Sequence, residues 1–156
     1  MRKQAAEFLV AVSLLGPLAS PPALAALGGD ATSVEADRVN MKGALHSTAA
    51  GTTAGPYTVH EIQGASGTTV REYAGADGKV FAVSWRGPVK PDLRQTLGVY
   101  FDAFQLAATG PHAGHRQLSV RQDNLVVESG GRMRAFYGRA YLPGHLPANL
   151  TPESIR

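Results

Sequence analysis

Residues 57–87 read YTVHEIQ, GASG, TTVREY, AGADG, KVFAVSWRG. Three runs of strand-forming residues are separated by glycine-containing breaks, and the second break carries Asp77-Gly78. This pattern predicts an antiparallel β-meander. Side chains alternate along a strand, so residues paired across strands share a face. Setting Gln63 opposite Thr68 and Ala74 opposite Lys79 gathers Tyr57, Val59, Val70, Phe81, Val83 and Trp85 on one face. Thr58, His60, Thr69, Arg71 and Ser84 fall on the other. One dry face and one wet face is what a sheet covered on one side requires.

The cover follows directly. Gly87 to Pro91 turns the chain, and Pro91 suits a first helical position. Leu93, Leu97, Tyr100, Phe101, Phe104 and Ala108 recur at helical spacing. An amphipathic helix over about Asp92 to Ala107 is expected to lie on the Phe81–Val83–Trp85 face. Gly98 inside it costs up to ~1 kcal/mol against alanine. Leu118 to Arg121 and Leu125 to Val127 read as short strands, Gly130-Gly131 as a turn, and Arg132 to Leu142 as a further strand. The expected fold is therefore α+β: an antiparallel sheet of about five strands with one face covered by a helix.

The flanks are less regular. Thr32 and Glu35 fit a capping box, which predicts a short helix running to about Lys42 with Val34 and Met41 partly buried. HSTAAGTTAGP, residues 46–56, reads as a loop. The chain divides into residues 1–25, 26–56 (short helix and loop), a core over 57–142, and a proline-punctuated irregular tail over 143–156.

Residues 1–25 have the form of a cleavable export signal. Arg2 and Lys3 give a positive start, and Phe8 to Leu15 is apolar apart from Ser13. Ala23-Leu24-Ala25 gives a small-residue cleavage site, with the cut expected before Ala26. A spanning helix needs ~20 apolar residues, about twice this run, and no later segment reaches that length. The expected location is the periplasm or the outside of the cell, by the general secretory route.

Composition narrows the function classes. Cysteine is absent, so there is no disulfide, no cysteine nucleophile and no lipid-anchored cysteine. The formal net charge is only +3, and losing Arg2, Lys3 and Glu7 lowers it by one. No concentrated basic stripe of the kind that binds nucleic acid is present. Phosphate-cradling loops, dinucleotide fingerprints and the G-x-S-x-G elbow are missing too, and no cofactor is expected.

Segments spread along the chain resemble one exported bacterial family. They are ALGGD, TVHEI, SGTTVREY, GKVFAVSWRGP, PDLRQTLG and SGGRMRAFYGRAYLP. The family is the domain-of-unknown-function family 2844. The resemblance implies a bacterial exported protein and carries no reaction and no site.

Four groups of residues remain as candidates. Arg132 and Arg134 share an expected strand face with Arg139 close by, so they can clamp an anionic group or a partner. Against this stands an ordinary solvated face protecting an edge strand. Glu61 and Glu72 fall on one face in the register above and form a candidate acid–base pair. His112 and His115 in PHAGH are weak metal candidates, since zinc needs three or four ligands. Trp85, with Tyr100 and Phe104, either lines a ligand cavity between sheet and helix or simply forms the core. The reading best supported is a noncatalytic exported binding domain whose partner is another envelope protein or an envelope component. A carrier of lipids or aromatic molecules and a small hydrolase are the alternatives.

Overall fold

The computed structural model describes residues 27–31, 34–52, 55–109, 117–148 and 150–156. Seven strands form one antiparallel sheet: β1 (Ala44–Thr52), β2 (Gly55–Gln63), β3 (Thr69–Gly75), β4 (Val80–Gly87), β5 (Gln117–Gln122), β6 (Leu125–Arg132) and β7 (Ala135–Tyr141). Their order across the sheet is β1-β2-β3-β4-β7-β6-β5. The expected meander is β2-β3-β4, and the sheet is larger than the five strands expected. Of the HSTAAGTTAGP stretch, residues 46–52 belong to β1 and residues 55–56 to β2, with Ser47 opposite His60 and Thr48 opposite Val59. Its small polar residues carry little strand signal of their own, and the pairing with β2 supplies it.

The register corrects the faces. Gln63 pairs with Thr69, not Thr68, while Gly64 N–H closes the turn on the Thr68 carbonyl. This slip of one residue turns β2 over. Tyr57, Val59 and Glu61 share a face with Arg71 and Tyr73, and His60 and Ile62 share the other with Val70 and Glu72. A bulge between β3 and β4 moves Phe81 as well. Its ring packs with Tyr57 and Tyr73, away from Val83 and Trp85.

The face carrying Val70, Val83 and Trp85 is covered by helices. α1 (Val34–Asn40) seats Val34 on Ile62, with Met41 and Leu45 alongside. Of its expected capping box, Thr32 lies outside the described residues, and the Glu35 carboxylate is ion-paired with Arg38. Asp92 caps α2 (Leu93–Leu97) by accepting from the amides of Arg94 and Gln95. Gly98 then adopts φ +51°, a 3-10 turn follows over Gly98–Tyr100, and the helix resumes as α3 (Phe101–Ala108). The single helix expected is thus broken at its glycine, because a left-handed residue ends an α-helix. Leu97 and Phe104, from either side of the break, enter one core with Val83, Trp85, Val120 and Val127. Burying side chains of this size contributes about 1.5–3 kcal/mol each. Gly138, opposite Trp85, is required: a Cβ there would lie 2.2 Å from Trp85 Cζ2.

The other face carries a second core of Tyr73, Phe81, Ala82, Val126 and Tyr141. The tail after β7 crosses it through short 3-10 turns at Pro143–His145 and Pro152–Ser154, burying Leu150 and Ile155. This face is therefore only partly open. The β6–β7 turn is Met133-Arg134, with Arg132 paired to Ala135, so Gly130 and Gly131 belong to strand β6.

Candidate functional site

Cross-strand pairing lays side chains out in rows, and two rows carry charge in opposite settings. On the helix-covered face the row is His60–Glu72–Val83–Ala140–Val127–Val120. Glu72 is 1% exposed in this apolar row, and Asp37 of α1, 2% exposed, descends onto it. Gln95 Nε2 donates to Asp37 Oδ1 at 2.5 Å, and Glu72 Oε2 is buried without a hydrogen-bond partner. Burial, then the neighbouring Asp37 charge and hydrogen bond, push Glu72 up to about 9. Burial raises Asp37 to about 6, against the lowering effect of its bonds from Gln95 and Glu72. At neutral pH the pair therefore holds one shared proton. A cavity of 210 Å³ lies beside it, between α1, the β2–β3 turn and the start of α2. Burial also lowers the pKa of His60, across β2 from Glu72.

On the opposite face the row is Glu61–Arg71–Ser84–Arg139–Glu128–Ser119. Arg71 donates to Glu61 at 2.7 Å and to the Arg156 carbonyl at 2.6 Å. Arg139 donates to Glu128 at 2.8 Å and to the Pro152 carbonyl. These two arginines thus bind the sheet to the tail. The next row, Thr69–Arg86–Tyr137–Gly130–Gln117, is uncovered. The Tyr137 ring lies by Gly130, where a Cβ would come within 2.9 Å of its hydroxyl. Both rows floor a trough of 820 Å³ walled by Glu153, Ile155 and Arg156. A second depression of 930 Å³ shares Arg86, Gln117 and Tyr137 with it and runs to Arg132 and Arg134. Among the described residues, Arg86, Arg132 and Arg134 have no hydrogen-bond or ion-pair partner. Arg134 holds φ +61°, which costs a non-glycine residue roughly 1 kcal/mol.

The candidates from sequence separate accordingly. Arg132, Arg134 and Arg139 lie along two adjoining depressions, although Arg132 ends β6 and Arg134 lies in the turn after it, so the two do not share a strand face. Trp85 also borders the trough from β4, but its side chain is packed in the core on the other side, and its Nε1 is buried without a partner. Trp85 and Phe104 belong to the same packed core, and Tyr100 lies against it. Glu61 and Glu72 stand on opposite faces, which removes that acid–base pair. The acid that meets Glu72 is Asp37, which sequence reasoning missed. Its signal was present, since Asp37 shares the helical stripe of Val34 and Met41. Arg86 and Tyr137 were missed as well. His112 and His115 lie outside the described residues. Among the described residues no group of three or more His, Asp or Glu is placed to hold a metal ion. No helix among them is long and apolar enough to cross a membrane.

Residues 23–155 match a family described as a protein of unknown function, DUF2844. The chain belongs to the DUF2844 family. No curated protein and no solved structure matches it.

Proposed function

We propose that this DUF2844 protein is an exported, noncatalytic binding domain that holds an anionic component of the cell envelope along its arginine trough. The observation that carries this reading is the set of unpartnered cations, Arg86, Arg132 and Arg134, along one continuous depression. A guanidinium without a carboxylate offers its full fork of donors to an incoming anion. The left-handed backbone at Arg134 adds support, because local strain gathers where a side chain is placed for a task. The export part draws support from the start of the domain. Leu27, two residues past the expected cut, is fully buried, and Gly28 and Gly29 hydrogen-bond to Val80.

The test measures binding of the purified protein to soluble polyanions at several salt concentrations. Saturable binding that weakens with salt and drops at least tenfold when Arg86, Arg132 and Arg134 are all replaced by alanine is expected. Equal binding by the triple variant would remove the trough from the reading. Intact-mass analysis of the exported protein is expected to place its first residue at Ala26. Recovery only from the cytoplasm with Met1–Ala25 attached would overturn export.

A further inference from the structure

Resting on the binding reading above, we infer that the trough takes an acidic polysaccharide, a chain of sugars bearing carboxylates, laid across the strands. Over β3, β4, β7 and β6 the floor offers side chains, because these interior strands spend their backbone donors and acceptors on their neighbours. β5, at one end of the trough, is an edge strand, but a peptide laid across the strands could not pair with it along its length, whereas a sugar needs no such pairing. What the floor does offer is hydroxyls from Thr69 and Ser119 and an amide from Gln117. These match the hydroxyls of a glycan in both donor and acceptor roles. Tyr137, 45% exposed, gives a ring on which a sugar face can rest. Arg86, beside it in the row, gives the bidentate carboxylate contact.

Charge pattern and spacing point the same way. Glu128 and Glu153 also line the trough, so a dense polyphosphate would meet repulsion at both. A chain whose charges are spread one to a sugar can place carboxylates at the arginines and hydroxyls at the acids. The trough crosses from β3 to β5, and neighbouring strands are about 4.8 Å apart. One sugar of an extended chain advances by a comparable length, so successive sugars meet successive strands.

The experiment compares oligogalacturonate, neutral dextran and poly-L-glutamate as ligands of the purified protein by calorimetry. Oligogalacturonate is expected to bind at least tenfold more tightly than poly-L-glutamate, and dextran not detectably. Arg86→Ala and Tyr137→Ala are each expected to weaken oligogalacturonate about tenfold, and Tyr137→Phe to retain most of the affinity. Both positions face the trough, and circular dichroism of each variant checks that it is folded. Poly-L-glutamate binding as tightly as oligogalacturonate, with the same loss at Arg86, would overturn the polysaccharide assignment and leave the anion-binding reading standing. Binding by none of the three would overturn both.

Discussion

Arg71 and Glu72 are neighbours in the chain and sit in opposite electrostatic worlds. Arg71 faces the tail side, keeps its charge, and spends it on Glu61 and a tail carbonyl. Glu72 faces the helices, where water is excluded, and keeps its proton instead. The same strands thus carry one face where charge is retained by pairing or solvent and another where it is suppressed by sharing a proton. Solvation decides between them: a buried charge costs several kcal/mol unless it is neutralised or fully paired. The covered face holds α1 to the sheet, and the tail-side face leaves three guanidinium groups available.

The largest predicted effect tests the proton on the covered face. Both acids have folded pKa values above their unfolded ones, so the folded protein binds more protons than the unfolded chain at neutral pH. The associated stability is complete below the ordinary carboxylate range. It is lost as pH rises through about 6 for Asp37 and about 9 for Glu72. Across that interval the unfolding free energy should fall by as much as ~1.4 kcal/mol per pH unit. Glu72→Gln keeps a donor for Asp37 without a titrating proton, so its stability should be nearly flat above about pH 6. Urea midpoints for both proteins over a pH series decide this, and equal slopes would sink the shared-proton account.

Next in size is a packing test of the same face. Gly138→Ala should cost about 3 kcal/mol, because its methyl would overlap the Trp85 indole and force it out of place. A shift in thermal midpoint of under a degree would mean that the indole can move aside. On the tail-side face the contrast should reverse. Arg86→Ala should leave stability within about 0.5 kcal/mol while weakening polyanion binding about tenfold, measured on one preparation. A destabilised Arg86→Ala would show that the trough arginine is part of the fold. The smallest effect expected is a gain. Arg134→Gly should stabilise by about 0.5 kcal/mol, as relief of a left-handed side chain outweighs glycine's greater freedom when unfolded. The same variant should bind polyanions more weakly, separating strain from recognition at one position.

Much of the fold was legible in the sequence, and the failures have local causes. Glycine turns at Gly64–Gly67 and Gly75–Gly78 are where expected, because positive φ at Gly67 and Gly78 needs them. The α2–α3 face was readable from its apolar spacing, and Gly98 was read as a cost when it is a break. The β2–β3 turn holds one residue more than its glycines suggest, and that residue inverted the faces of Tyr57, Val59 and His60. The bulge that displaces Phe81 has no sequence mark in Val80-Phe81-Ala82-Val83, where every position is buried. Of the site, Arg132, Arg134 and Arg139 were found because they cluster in sequence. Arg86 and Tyr137 come from different strands and meet only through the β4–β7 pairing, which lies beyond any local pattern. Asp37 shares the stripe of Val34 and Met41, but only the packing of α1 onto the sheet brings it to Glu72.

The position of β7 has a consequence for how the chain is made. It enters the sheet between β4 and β6, pairing Ala82 with Tyr141 and Gly87 with Phe136. The centre of the sheet is therefore closed by a strand that is made after β2 to β6. Contacts of such sequence separation form slowly and cannot form early. Until then β2–β3–β4 is a fragment with an exposed β4 edge and half a core, too incomplete to lock. Late closure leaves the β4 edge open until β7 arrives, so the two halves of the sheet must meet before either is locked.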